Sequence, residues 1–584
     1  MPSVHARRAA VLAAALATGL AALLVAGGAA AQSVRGEPLR ETAVKRAADD
    51  FRAAHIAPFA TLRLQPLGAE RLGALQRHNA LHAGKRLQIG ISRGVADEAE
   101  STWPAQAAWR AVPGGHVLRF DVVSPGAAAL RSALDLSALP EGAELRVASA
   151  TGGPVERIDR ASLAAGVDGS GLYWTPVTDG EAQRLELFVP GDAPRTGAGL
   201  QRVSHLVTSP FRPLDLGKAL GSSGSCNVDV ACRTGALGPA FVNAKNAVAR
   251  MVFEDGGSFT CTGTLLNDST PATQVPYFFS AAHCFDSQAA ANTLVTFWGY
   301  EAPTCGQRSG GANTQVAGGA DLLFATLSSD ASFMRLRATP PPGAFFAGWN
   351  AATLSPSTPV VAIHHPRGDN KKVSEGTHSG FQSGVLIGGQ SVTSTARASW
   401  SAGTTEGGSS GSGLFTLAGG EYQLRGGLAG GSASCANTGR SEAEGNVDFY
   451  SRFDQVYPSL QQWLGTPASA GPTRDHTGAW FVPSESGWGL TVFQFPGQLF
   501  ALVFVYDAQG RPSWYRLQGA WTGTDTVTAP LDRASGPSWG PSFDPAAVRY
   551  TRVGTGTLTF TSPTAATFSF NDGTVNRTVT LQKL

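Results

Sequence analysis

The stretch Thr404–Phe415, TTEGGSSGSGLF, sets three serines among glycines and ends on apolar residues. A hydroxyl nucleophile suits such a setting, because glycines let the backbone turn until amide N–H groups face a developing oxyanion. It also needs a base close to the hydroxyl and a carboxylate to orient that base, and this stretch holds no histidine. Read alone, a Gly/Ser run is a linker. Reading outward supplies what is missing. PYFFSAAHCF, residues 276–285, places His283 after an apolar, aromatic strand. SSDASFMRL, residues 328–336, places Asp330 at the start of another, with Ala331, Phe333 and Leu336 available for burial. A lone His on an apolar stretch is usually structural, and Asp in such a setting usually makes a turn. The order His, Asp, Ser, the flanking strands and the nearby cysteines together point to nucleophilic chemistry.

The rest of the chain frames that segment. Its 584 residues are too many for one core, so several domains are expected. A formal net charge of +2 disfavours nucleic acid and acidic surfaces as partners. Glycine is abundant, with 71 residues, and helical periodicity is rare after about residue 110, which favours β-rich domains. Arg7 and Arg8, an apolar run and the small residues AAAQS read as a secretory signal peptide, 1–31, cleaved after Ala31. Export permits disulfides. All six cysteines lie between Cys226 and Cys435, so the middle of the chain is the stapled unit. Spacing alone does not choose among their pairings.

Residues 32 to about 88 read as helical, from the periodicity of RETAVKRAADDFRAAH and AERLGALQRHNALHAG. LQIGIS, HVLRFDVVS, ELRVASA and RLELFVP then predict strands of a β-sandwich ending near Pro210. A Gly/Ser-rich linker follows. Residues 226–465 show the many short strands and turns of a barrel. After a linker at 466–474, residues 475–584 alternate aromatic and polar residues and predict a small separate β domain.

At this point a resemblance becomes specific. SAAHC and DASFMRL resemble the histidine and aspartate motifs of chymotrypsin-like serine proteases. More closely, GSCNVDVAC, CTGTLLND, YFFSAAHC, AIHHPRGDNKKVS, TTEGGSSGSGLF, GGSASC and DFYSRF follow the order of the secreted bacterial lysyl endopeptidases. The likeness spans residues 221–464 and implies a mainly β, chymotrypsin-like double β-barrel at 219–465. It implies His283 as base, Asp330 as its orienter and Ser410 as nucleophile, with the N–H groups of Gly408 and Ser410 as the oxyanion hole. Ser409 and Ser412 are then structural. It also implies the disulfides Cys226–Cys435, Cys232–Cys305 and Cys261–Cys284, and Asp448 of VDFYSRF as the floor of the pocket that receives the substrate side chain. Ser409 stands where mammalian relatives carry an Asp that pairs with a new α-amino group. Activation here is therefore not expected to need that ion pair; in the family the first cysteine ties the new N-terminus down.

The implied activity is secreted serine endopeptidase cleavage after a basic residue, with Lys expected. Two alternatives are cleavage after Arg as well as Lys, and a non-catalytic binding or adhesion protein built on a protease-like barrel. Ala429 departs from the family, whose best-known members carry His there beside an aromatic residue, and SGFQSGVLIGG offers no Trp. Segment 32–218 is expected to be a propeptide with a β-sandwich that assists folding and blocks activity, and Lys218 its processing site. Peptide substrates and this propeptide are the expected partners, with no membrane association once the signal is removed. Trp480, Trp488, Trp514 and Trp521 of the C-terminal accessory domain either stack on a polymer or cell-surface ligand or fill a small core. No cofactor or metal is expected, since the cysteine-bearing region 226–435 holds no Cys-x-x-Cys and no His-x-x-x-His. Adjacent side chains on a strand diverge, so His364 and His365 are read as structural or pocket-adjacent and Lys371 and Lys372 as surface residues.

Overall fold

The computed structural model describes residues 33–40, 50–54, 57–58, 60–81, 86–100, 109–191, 193–195, 199–211, 223–270, 273–307, 313–387, 389–465, 475–495, 498–507, 509–521, 525–538, 540–544, 547–571 and 575–584. The signal peptide, Ala31, Lys218 and the linker at 466–474 lie outside them, as does most of the first expected helix, 41–49.

Residues 33–211 begin as strands, not as the helical segment expected. Ser33–Val34, Glu37–Pro38 and Ala60–Arg63 are extended, and the helix Ala69–Leu81 is the expected one that is seen. Leu87–Gly94, Gly115–Val123, Glu144–Ser149 and Ala182–Pro190 form the four expected strands. Their alternation of apolar and polar residues buries one face. A six-stranded sheet runs through Ala60–Arg63, Gly115–Val123, Ala182–Pro190 and Glu144–Ser149. Leu118, Phe120, Val122, Leu145, Val147, Leu185 and Leu187 pack from it against Leu130, Leu134 and Val203 of a second sheet. That second sheet does not end with the sandwich. Leu87–Gly94 pairs with Ser258–Leu266, so the sheet has twelve strands and runs on into the middle of the chain.

There, Val248–Glu254, Ser258–Leu266, Tyr277–Ser280, Val295–Trp298, Ala320–Thr326 and Ala331–Leu336 curl around Met251, Phe253, Leu265, Phe278, Trp298 and Met334. A second set, Pro359–His364, Lys372–Ile387, Gln390–Ala402, Gly413–Ala418, Glu421–Gly431 and Asp448–Ser451, closes because the last strand pairs with both its neighbours. Ala362, Ala398, Trp400, Leu414, Leu428 and Tyr450 fill it. The order and the two cores are those of a chymotrypsin-like double β-barrel. Cys226–Cys435, Cys232–Cys305 and Cys261–Cys284 are joined.

Chain contacts separate a second unit, 268–275 with 461–584. Its eight strands from Gly478–Phe481 to Asn576–Lys583 form a closed barrel. Strand alternation sends Leu499, Ala501 and Val503 inward. Of the two readings of the four tryptophans, the core-filling one describes most of them: Trp480 and Trp521 are buried in this core and Trp488 packs against it, leaving Trp514 41% exposed. A closed barrel of this size needs large side chains to fill it, and the tryptophans at inward positions supply them.

Candidate active site

His283 sits in the turn after Tyr277–Ser280, whose pairing with Ala331–Leu336 sets Ser280 opposite Ser332. That register brings Asp330, one residue before the partner strand, beside the His283 turn. The His283 backbone N–H donates to Asp330 Oδ1 at 2.8 Å, and its ring Nδ1–H to Oδ2 at 2.7 Å. The carboxylate on Nδ1 selects the tautomer whose Nε2 lone pair is free to accept a proton. Nε2 is buried and makes no hydrogen bond in this structure. Asp330 itself takes a left-handed φ of 50° and is 2% exposed.

Ser410 lies in a tight turn docked on the strand that carries Cys261. The Thr262 N–H donates to Ser410 O at 2.8 Å and Thr262 Oγ1 to Gly408 O at 3.0 Å. Cys261, next along that strand, is bonded to Cys284, the neighbour of His283. One short strand thus fixes both the serine turn and the histidine turn. Gly411 is required for this docking: its φ is 78°, and a Cβ there would sit 2.1 Å from Ser280 Oγ.

Asp448 begins the strand Asp448–Ser451 and is 1% exposed. Its Oδ2 accepts from Trp400 Nε1 and from Thr405 Oγ1, both at 2.7 Å. Burial pushes its carboxyl up to about 6, against the opposing pull of those two hydrogen bonds and of the Ala433 backbone N–H. A Cβ on Gly431 would lie 2.1 Å from Asp448 Oδ1, so glycine there keeps the carboxylate approachable. Ser410 and Asp448 line one cavity of roughly 720 Å³, with Thr405, Gly430, Gly431 and Ser432. His283 and Asp330 line another, of roughly 350 Å³.

The helix Ala69–Leu81 contributes to both cavities. Leu72, Leu75, Gln76 and Asn79, spaced along one helical face, line the cavity of Ser410 and Asp448. His78 lines that of His283. Sequence reasoning did not assign this helix a place at the site. Nor did it find Trp400, which reaches Asp448 from the strand Gln390–Ala402, just after SGFQSGVLIGG. The only available signal was a Trp shortly before TTEGGSSGSG.

The HHPRGDNKK segment also differs from expectation. Lys371 and Lys372 are buried rather than on the surface. Lys371 Nζ donates to Lys245 O at 2.7 Å, with Glu301 3.7 Å away, and Lys372 Nζ pairs with Asp229 and, at 3.7 Å, Asp369. Buried ammonium groups persist only with such partners. His364 and His365 do diverge: one ring reaches Ser409, the other the Asp369 carbonyl. Among the described residues no three His, Cys, Asp or Glu side chains gather as a metal site requires, and no helix is long and apolar enough to cross a membrane.

Residues 220–451 match the family model described as lysyl endopeptidase, C-terminal domain, and residues 63–207 that of the lysyl endopeptidase N-terminal domain. The chain is 37% identical over 396 residues to a lysyl endopeptidase of Pseudomonas aeruginosa, a match covering 65% of this chain and 82% of that protein. Among solved structures, the active form of the Rv3671c protease from M. tuberculosis is similar over 43% of this chain and 93% of its own, at 15% identity and TM-score 0.27. The thermostable serine protease AL20 from an extremophilic microorganism is similar over 38% and 98%, at 16% identity and the same TM-score of 0.27. Overlaps that low add nothing to the topology already described.

Proposed function

The chain belongs to the lysyl endopeptidase family and is a serine endopeptidase, and we propose that it is exported and cleaves peptide bonds after Lys through a His283–Asp330–Ser410 triad. Ser410 Oγ attacks the scissile carbonyl while His283 Nε2 takes its proton, and Asp330 stabilises the imidazolium that forms. The N–H groups of Gly408 and Ser410 receive the oxyanion. His283 then returns the proton to the leaving amine, and water repeats the sequence on the acyl-enzyme.

The observation that carries the specificity is the buried Asp448 carboxylate sharing a cavity with Ser410. A carboxylate out of water is costly until a cation reaches it. A Lys side chain brings an ammonium head and an apolar stem that fills the approach. Arg brings a planar fork of different shape. Trp400 and Thr405 already occupy Oδ2, which favours a compact ammonium on the remaining oxygen over a bidentate guanidinium.

Segment 32–218 serves as a propeptide in this reading, with 219–465 the catalytic domain and 475–584 an accessory barrel. The helix Ala69–Leu81 at both cavities supports latency until the propeptide is cut, with Lys218 the self-cleavage site. For the accessory barrel, Phe504 and Trp514 face each other on adjacent strands, 46% and 41% exposed, which supports a polymer or cell-surface ligand.

Digestion of a peptide library, with cleavage sites read by mass spectrometry, tests the specificity. Cuts confined to the carboxyl side of Lys support the reading, and equal cutting after Arg replaces it with the broader specificity. Absence of fluorophosphonate labelling in processed protein would favour the non-catalytic binding protein.

A further inference from the structure

The segment HHPRGDNKK has no part in the chemistry above, yet one of its histidines is tied to the turn that carries the nucleophile. His364 ends the strand Pro359–His364 and is fully buried. Its Nδ1 lies 2.9 Å from Ser409 Oγ and its Nε2 3.0 Å from Ser374 Oγ. The direction of each bond is fixed by its neighbours. Ser374 Oγ donates to Thr404 O at 3.0 Å, so it must accept from His364 Nε2–H. Nδ1 is then the unprotonated nitrogen and accepts the Ser409 hydroxyl proton, while Ser409 Oγ accepts the Glu406 N–H at 3.3 Å. Burial keeps the ring neutral, its pKa pushed down to about 3, with the Lys372 ammonium adding to the effect. The ring therefore holds this polarity across the working pH range.

One side chain thus links both ends of the loop Thr404–Ser410, directly at Ser409 and through Ser374 at the Thr404 carbonyl. The same segment grips the loop a second time. Arg367 N–H donates to Gly407 O at 2.6 Å. Because the peptide unit is planar and trans, holding that carbonyl toward Arg367 turns the Gly408 N–H the opposite way. None of these contacts involves a free chain terminus. On the other side of the loop, Glu406 accepts from Gly224 N and Asn227 Nδ2, both at 2.8 Å, in the uncut chain.

We infer that His364 is the positioning residue that holds the oxyanion hole of Gly408 and Ser410 in its working shape, acting through Ser409. A neutral hydrogen-bond clasp thereby does, before any processing, what a buried terminal ion pair would do after it. The inference rests on the triad reading of the same site.

The test compares wild type with Ser409→Ala, His364→Leu and His364→Asn. Each is brought to the same processed state with a trace of tagged wild type, which is then removed. Peptidyl-lysinal, whose hemiacetal needs the oxyanion hole, and n-butylamine, which needs only the Asp448 pocket, serve as paired inhibitors. Ser409→Ala and His364→Leu should lower kcat and weaken lysinal by about 10²-fold, the scale of one oxyanion donor. KM and butylamine inhibition should change less than about 3-fold, the spread expected of sites that share no partners, since neither residue lines the Asp448 cavity. His364→Asn, which can keep an acceptor near the Nδ1 position, should recover most of the loss. Unchanged kcat and lysinal affinity in Ser409→Ala, the milder variant, would overturn the inference. So would parallel weakening of lysinal and butylamine, which marks general collapse. If wild type fails to react with a fluorophosphonate, the endopeptidase reading fails and this inference with it; a reactive wild type with unaffected variants removes the inference alone.

Discussion

Replacing Asp448 with Asn tests the specificity reading at the atom that carries it. Burial moves the carboxyl from its ordinary 3.8 to about 6. That shift of about two units, at about 1.4 kcal/mol each, is roughly 3 kcal/mol of unfavourable charge. A substrate ammonium relieves it, and leaving a buried charge unpaired costs about 3–5 kcal/mol in comparable sites. Asp448→Asn should therefore lower kcat/KM on a Lys peptide by about 10²–10³-fold. On the matched norleucine peptide, which keeps the stem and lacks the ammonium, it should change little. The pH dependence has a definite sign. In wild type the ratio of Lys to norleucine turnover falls as pH drops below about 6 and Asp448 takes up a proton; in the variant the ratio is flat. Taking the ratio cancels the titration of the catalytic base, which both substrates share. Stability moves the other way. A carboxyl whose folded pKa is raised favours the fold below its unfolded pKa and loses that contribution as pH rises through about 6. Asp448→Asn, whose amide oxygen can still accept from Trp400 or Thr405, should melt higher than wild type at pH 8. The assay is a pair of fluorogenic peptides from pH 4.5 to 9, with a melting curve at each end. Equal loss on both peptides, or a ratio with the same pH profile as wild type, would refute the reasoning.

Ser410→Ala or His283→Ala should each lower peptidase activity by several orders of magnitude, because triad members act as a unit; near-normal turnover in purified Ser410→Ala removes the assignment. Opening Cys261–Cys284, which spans 23 residues, should cost about 3 kcal/mol in denaturant unfolding, and kcat should fall as well because the bridge holds the His283 turn. Arg131 Nη1 lies 3.5 Å from Glu254 Oε1, with both side chains buried and burial pushing Glu254 up to about 7. Arg131→Ala in the uncut Ser410→Ala chain should cost about 3–5 kcal/mol, read by denaturation, with most of the loss regained below pH 7 where Glu254 is protonated. N-terminal sequencing of secreted protein should find Ala219 first, and Lys218→Ala should delay that start; an unchanged start elsewhere argues against self-cleavage.

The architecture was legible wherever local pattern decides it. Period-two alternation marked Gly115–Val123 and Ala182–Pro190, and helical spacing marked Ala69–Leu81. His283, Asp330 and Ser410 stood out because each sits at a strand edge or turn of unusual composition. What the sequence hid was pairing between distant segments. Nothing local to LQIGIS says that its edge joins Ser258–Leu266, since an open strand edge accepts any partner in register. Lys371 and Lys372 read as surface residues because adjacent charges usually are solvated. Their burial depends on Glu301, Asp229 and a backbone carbonyl from other elements. Trp400 was invisible as a pocket residue for the same reason: its indole N–H meets Asp448 only because the two strands are neighbours in the sheet.

In the proposed reading of 32–218 as a propeptide, the helix at the cleft would keep the site latent without being consumed. A protease of this fold attacks backbone that is extended and free to hydrogen-bond along the cleft. In Ala69–Leu81 the interior N–H and C=O groups are already paired within the helix. The helix also contains no Lys, the side chain proposed for the Asp448 pocket. Of its two arginines, Arg71 is engaged with Glu98 at 2.7 Å. Apolar contact from Leu72 and Leu75 covers the cavity, and Gln76 and Asn79 bring polar groups without charge. Covering the site with a helix and placing the one expected cut far along the chain, at Lys218, separates inhibition from cleavage. On this proposal the inhibitor is lost only when the chain is cut outside it.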